Sequence, residues 1–119
     1  MSASLYERLG GSEGIQNIAN DLVELHASNP VIGKRFLTTD KSAAKKSAAE
    51  FFISGTGGPN VYTGKDMVSV HKGMNISPEE FLAVLEDAMA ALTKNGVGEA
   101  EKQEVLAVFF SMRDEVMRQ

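Results

Sequence analysis

Two histidines carry what metal chemistry this chain could do. His71 lies in the stretch from Gly57 to Ser77 as its one imidazole. From Lys65 to Lys72 the chain can make two helical turns, and Gly73 sits where a left-handed C-terminal cap belongs. Met67 and Val68 stand four and three residues before His71 and so flank it on one helical face. Val70, Met74 and Ile76 complete an apolar setting. A neutral imidazole presented from a short, tightly bounded helix into an apolar pocket suits an axial ligand of haem iron. It also suits a core histidine with both ring nitrogens satisfied, because one histidine defines no site. His26 is far away in sequence, and the two form no paired metal motif of the His-Glu-x-x-His kind.

Other chemistries find little support. No order or local motif assembles a nucleophile with its base. The run Ser54-Gly55-Thr56-Gly57-Gly58-Pro59 lacks a Gly-Lys-Ser/Thr ending and a preceding strand, so it does not read as a phosphate loop. The carboxylates at Glu79-Glu80, Glu86-Asp87 and Glu99-Glu101 read as helix-start and solvated charges. The chain has no cysteine, which removes disulfides, thiolate ligands and haem attachment through Cys-x-x-Cys-His; this fits a reducing cytoplasm. A net charge of −4 argues against a nucleic-acid partner. No apolar run is long enough to span a membrane, and Met1-Ser2-Ala3-Ser4 has no signal-peptide pattern. A length of 119 residues predicts one domain, 1–119, with a single core.

The elements that must position the histidines are helices. No segment alternates at period two, so the class is all-α. Tyr6-Glu7-Arg8-Leu9 is at most a short helix stopped by Gly10-Gly11, after which Ser12 reads as an N-cap. Ile15, Ile18, Ala19, Leu22, Val23, Leu25 and His26 form an apolar stripe that ends near Asn29, before Pro30. Val31 to Phe36 can add a turn. Asp40 or Ser42 caps a helix through Ile53, with Ala44, Ala48, Phe51 and Phe52 inward and Lys41, Lys45, Lys46 and Glu50 on a solvated face. Ser77-Pro78-Glu79-Glu80 is a capping box, followed by Phe81, Val84, Leu85, Ala88, Met89 and Leu92 on one face. Asn95-Gly96 ends that helix. The last helix runs from about Gly98 to Met117, burying Val105, Leu106, Phe109, Phe110, Met112 and Val116. The two C-terminal helices should pack antiparallel.

With the glycines, aromatics and histidine in this order, the chain resembles the truncated haemoglobins, group I most closely. The resemblance covers nearly the whole chain. Tyr6-Glu7-Arg8-Leu9-Gly10-Gly11 looks like the family's N-terminal signature, and Phe51-Phe52 with Gly57-Gly58-Pro59 like its second glycine motif. Tyr62-Thr63-Gly64, Met67, Val70, His71, Gly73 and Ile76 continue the match. The resemblance implies a truncated globin-like two-over-two helical sandwich around a non-covalent b-type haem, with His71 as proximal ligand. It suggests Phe36 at the haem edge and Tyr62, Met67, Val70, Met74, Ile76 and Phe81 as further haem-wall residues. Lys41, Lys45 or a nearby threonine would pair with the propionates.

The distal side departs from the family. Group I members commonly carry a tyrosine on the second helix and a glutamine or similar residue on the next. The matching positions here are Val23 and Ala48, with Ala44 one turn earlier, all apolar. A missing donor weakens retention of oxygen and favours carbon monoxide and nitric oxide. His26, three residues after Val23, could donate to a ligand or coordinate the iron as a sixth ligand. Its alternative is a partly exposed histidine near a helix end. Ser47 and Lys46 are weaker donors, and Phe52 completes the distal set. The resemblance thus implies a cytoplasmic monomer or weak dimer that reversibly binds a diatomic gas (O2, CO or NO), as in oxygen transport. Its rivals are a haem enzyme turning over nitric oxide, nitrite or peroxide with electrons from a separate reductase, and a globin-like interaction module without haem.

Overall fold

The first long helix begins where two glycines let the backbone turn left. The structure, a computed structural model, describes residues 4–36, 40–59, 76–113 and 117. Helix α1, Leu5–Arg8, is capped by the Ser4 hydroxyl, which accepts from the Glu7 N–H. Gly10 and Gly11 follow at φ 99° and 69°, a region that side chains with a Cβ rarely adopt. Helix α2 then runs Gly11–Ser28 with Gly10 as its N-cap. Ser12 is therefore not the cap that its type suggested. It lies inside the first turn, and its hydroxyl shares a 2.7 Å hydrogen bond with the Tyr6 hydroxyl. Asn29 ends α2 in an extended conformation before Pro30, as the proline requires.

A 3-10 turn at Gly33–Phe36 follows, and helix α3 covers Lys41–Gly55. Asp40 caps α3 by accepting from the Ser42 and Ala43 N–H groups. Its inner face differs from the expected one. Ala49, Phe52 and Ile53 are buried, while Ala44, Ala48 and Phe51 are only half-buried. Helix α4, Pro78–Lys94, starts with the full capping box of Ser77 and Glu80 and closes at Asn95 with Gly96 at φ 74°. Helix α5 is Glu99–Ser111, and residues 114–116 of the extension expected to Met117 lie outside the described residues. It buries only Val105; Leu106, Phe109 and Met112 are half-buried, and Phe110 is 48 % exposed. Val116 lies outside the described residues.

The helices form two antiparallel pairs. Glu24, near the end of α2, reaches Lys41 and Lys45 near the start of α3. Thr93 near the end of α4 meets Lys102 near the start of α5, and Phe81 meets Phe110 at the other end. α2 packs across α4, so one pair lies on the other. The core between them joins Leu9, Ile15, Ile18, Leu22, Phe52, Ile53, Ala88, Leu92 and Val105. A second cluster holds Ile76, Phe81 and Leu85 against Leu106, Phe109 and Met117. No strand longer than the single bridge between Ile76 and Met117 occurs among the described residues. The class is all-α, as the sequence pattern implied.

The two glycine motifs meet. The Tyr6 N–H donates to the Thr56 carbonyl at 2.9 Å. A Cβ on Gly58 would stand 2.5 Å from Tyr6 Cδ1 and 2.8 Å from the Ile53 carbonyl oxygen, so only glycine lets the Tyr6 ring lie against this corner.

Candidate functional site

Three of the candidate residues converge at the end of α2. Val23 is buried at 3 % exposure and His26, one turn later, at 8 %. The Phe36 ring rests on the His26 imidazole with centroids 5.8 Å apart and planes inclined by 36°. His26 is thus inside the fold, and the alternative of a partly exposed histidine does not hold.

The burial of His26 is matched by a partner the sequence reading placed in water. Asp87 on α4 is 9 % exposed, and its Oδ2 lies 2.7 Å from His26 Nδ1. Glu86-Asp87 was expected to be a solvated pair, and for Asp87 this is corrected. A buried carboxylate needs donors, and Asp87 has them. Asn29 Nδ2 donates to both of its oxygens at 3.2 and 3.1 Å. The Asn29 amide cannot be turned round, because its Oδ1 accepts the Val31 N–H at 2.8 Å.

This geometry fixes the imidazole's tautomer. Both Asp87 oxygens already accept from the Asn29 amide, so Oδ2 accepts from Nδ1 as well, and Nδ1 carries the proton toward it. Burial pushes the His26 pKa below its ordinary value of 6.5, and the Asp87 hydrogen bond and charge oppose that shift without reversing it. A neutral ring protonated at Nδ1 has a lone pair at Nε2. Near neutral pH, His26 then offers an acceptor at Nε2 and no donor.

The remaining candidates are spread over other surroundings. Ala44 and Ala48 are half-buried on α3 and Ser47 is exposed. Lys46 is exposed on the same helix. Phe52 is buried in the main core, edge-on to Phe109 at 5.5 Å. The ammonium groups of Lys41 and Lys45 lie 3.3 and 3.2 Å from one Glu24 oxygen, and those two contacts hold the Glu24 carboxyl below the usual range. Ile76 and Phe81 are buried together at the start of α4. Tyr62, Met67, Val70, His71 and Met74 lie outside the described residues, as does the short helix expected at 65–72. Among the described residues, no three histidine or carboxylate side chains gather as a metal site.

Asn29 and Asp87 are the residues of this candidate site that motif reading missed. One signal was present. Asp87 falls four residues after Ala83 and four before Ala91, and all three are buried on one row of α4. Glu86 beside it is exposed.

Comparison with known proteins places these features in context. The family model described as bacterial-like globin matches residues 4–118. The chain is similar to the group 1 truncated hemoglobin GlbN of Mycolicibacterium paratuberculosis, 30% identical over 96% of this chain and 84% of that one. It is also similar to the group 1 truncated hemoglobin of Tetrahymena pyriformis, 30% identical over 96% of this chain and 94% of that protein. The crystal structure of the Tetrahymena pyriformis truncated hemoglobin in its Fe(III) form superposes with a TM-score of 0.94. It is 29% identical and covers 98% of this chain and 100% of that one.

Proposed function

The chain belongs to the bacterial-like globins, with group 1 truncated haemoglobins as its relatives, and from this we propose that it holds one non-covalent b-type haem and reversibly binds a diatomic gas. The residues fit such a group. Ala44 and Ala48 stay half-buried on α3 while Ala49 is sealed in the core, which keeps a row of small apolar groups open. Val23 and Phe36 supply apolar surface from α2 and the turn after it. With no cysteine in the chain, covalent attachment through thiols is excluded, which supports the non-covalent reading.

His71 is the proximal ligand in this proposal, with Tyr62, Met67, Val70, Met74, Ile76 and Phe81 completing the wall around the haem. The whole chain, 1–119, acts as one globin domain. Bound haem would supply an iron position open to a gas, and the chain's own residues set what that position favours. The observation that carries the ligand preference is the Asp87 contact to His26 Nδ1. Val23, Ala44 and Ala48 have no donor, and His26 has its proton turned toward α4. Oxygen draws stability from a donor in a way that carbon monoxide does not, so this pocket releases oxygen readily and discriminates against it.

The test is the absorption spectrum of the full chain with added haem, ferric and then ferrous, before and after carbon monoxide. We expect stoichiometric uptake, a five-coordinate ferrous form and a Soret shift with carbon monoxide. Absence of haem uptake would reject the proposal. A six-coordinate ferrous form that becomes five-coordinate in His26→Ala would instead make His26 an iron ligand.

A further inference from the structure

We propose that Asp87 is a positioning residue for Phe36, acting through the His26 ring and Asn29, and thereby sets the wall on which the haem edge rests. The haem part of this inference rests on the function proposed above. The placement of Phe36 rests on the geometry alone.

The turn that carries Phe36 is held to α4 by two separate polar ties. Asp87 takes the His26 and Asn29 side chains at the turn's start. Glu80, in the first turn of α4, takes the Arg35 guanidinium at the turn's end, with Nη2 to Oε1 at 3.0 Å. Between these anchors the backbone has little freedom. Asn29 Oδ1 holds the Val31 N–H, and the Asn29 carbonyl accepts from the Gly33 N–H at 2.7 Å. Gly33 sits so close to α2 that a Cβ there would stand 2.8 Å from the Ala27 carbonyl oxygen. Phe36 follows directly and is backed by the His26 ring.

Stability alone does not account for a carboxylate at this position. Removing a charge from water is costly, and apolar residues of similar size commonly serve a buried site as well or better. Leucine could fill the row between Ala83 and Ala91. What leucine lacks is direction. It cannot fix the rotation of the imidazole or hold the Asn29 amide. The polar network specifies one placement of the ring behind Phe36, where packing alone permits several.

The test uses Asp87→Asn, Asp87→Leu and the double variant His26→Leu/Asp87→Leu in the full chain. Three quantities are measured: the rate of haem loss to an excess of a competing apoglobin, the infrared band of bound carbon monoxide, and the Phe36 ring proton shifts in the haem-free protein. Melting temperature serves as the control for folding. We expect the double variant to lose less melting temperature than Asp87→Leu, because the imidazole leaves with its carboxylate and only the half-buried Asn29 amide is left without its acceptor. It should nonetheless lose haem about 10-fold faster or more, broaden the carbon monoxide band and move the Phe36 shifts. Asp87→Asn keeps an oxygen that can accept from Nδ1–H and should restore a band close to wild type. A double variant with wild-type haem loss, band and ring shifts would overturn the proposal, and this reading survives if Asp87→Leu fails to fold. If the wild type takes up no haem, the proposed function falls, and the Phe36 ring shifts in Asp87→Leu, which keeps the imidazole beside Phe36, decide whether Asp87 positions it: unchanged shifts there would overturn the proposal.

Discussion

Protonation of His26 would reverse the character of its Nε2, from acceptor to donor, and it would do so inside the fold. Burial lowers the folded-state pKa below the ordinary value of 6.5. The unfolded chain therefore binds a proton that the folded chain resists, and stability falls as pH drops through that ordinary value. Thermal unfolding of the haem-free protein at pH 7.5 and 5.5 should show this loss, and His26→Gln should remove part of it. An identical pH dependence in the variant would contradict a buried neutral histidine. The same residue marks the limit of sequence reading. His26 was legible as a candidate because it shares a face with Val23, but its partner was not. Asp87 follows Glu86, and two adjacent acidic residues on a helix read as solvent-facing until the helix phase is fixed. Only the crossing of α2 on α4 brings residues so distant in sequence to 2.7 Å.

Several helix boundaries were legible because their signals are local, although the α2 cap fell on Gly10 rather than Ser12. The Ser77–Glu80 box and the Asn95-Gly96 stop stand where residue types required them. Interior faces were less legible. Alanine is small enough to lie on either side of α3, and the buried row proved to be Ala49, Phe52 and Ile53. Phe110 was expected inside α5 and is half exposed, because Phe109 and Val105 already fill that helix's inner face. Two glycines at the end of α3 give opposite predictions. At Gly55 a Cβ would meet nothing within 4 Å, so Gly55→Ala should stabilise by about 0.5 kcal/mol through the unfolded state. At Gly58 it would strike the Tyr6 ring at 2.5 Å, so Gly58→Ala should cost roughly 1–3 kcal/mol. Urea denaturation of the two variants would separate them, and equal midpoints would contradict the close approach of Tyr6.

Across the molecule, the fold class followed from periodicity, whereas the two-over-two arrangement was implied only by the resemblance to the truncated haemoglobins. The haem-binding reading adds a global expectation. A ligand that binds only the folded chain raises its melting temperature with concentration. Haem should do so here, and His71→Ala should abolish most of the rise; a full rise in that variant would move the proximal role elsewhere. One contact bears on how the chain is made. Tyr6 closes on Thr56 and Gly58, so this residue has no finished place until the end of α3 has been synthesised. At ordinary elongation rates that interval is roughly 3–10 seconds. During it Leu5 and Tyr6 lack the surface they finally cover.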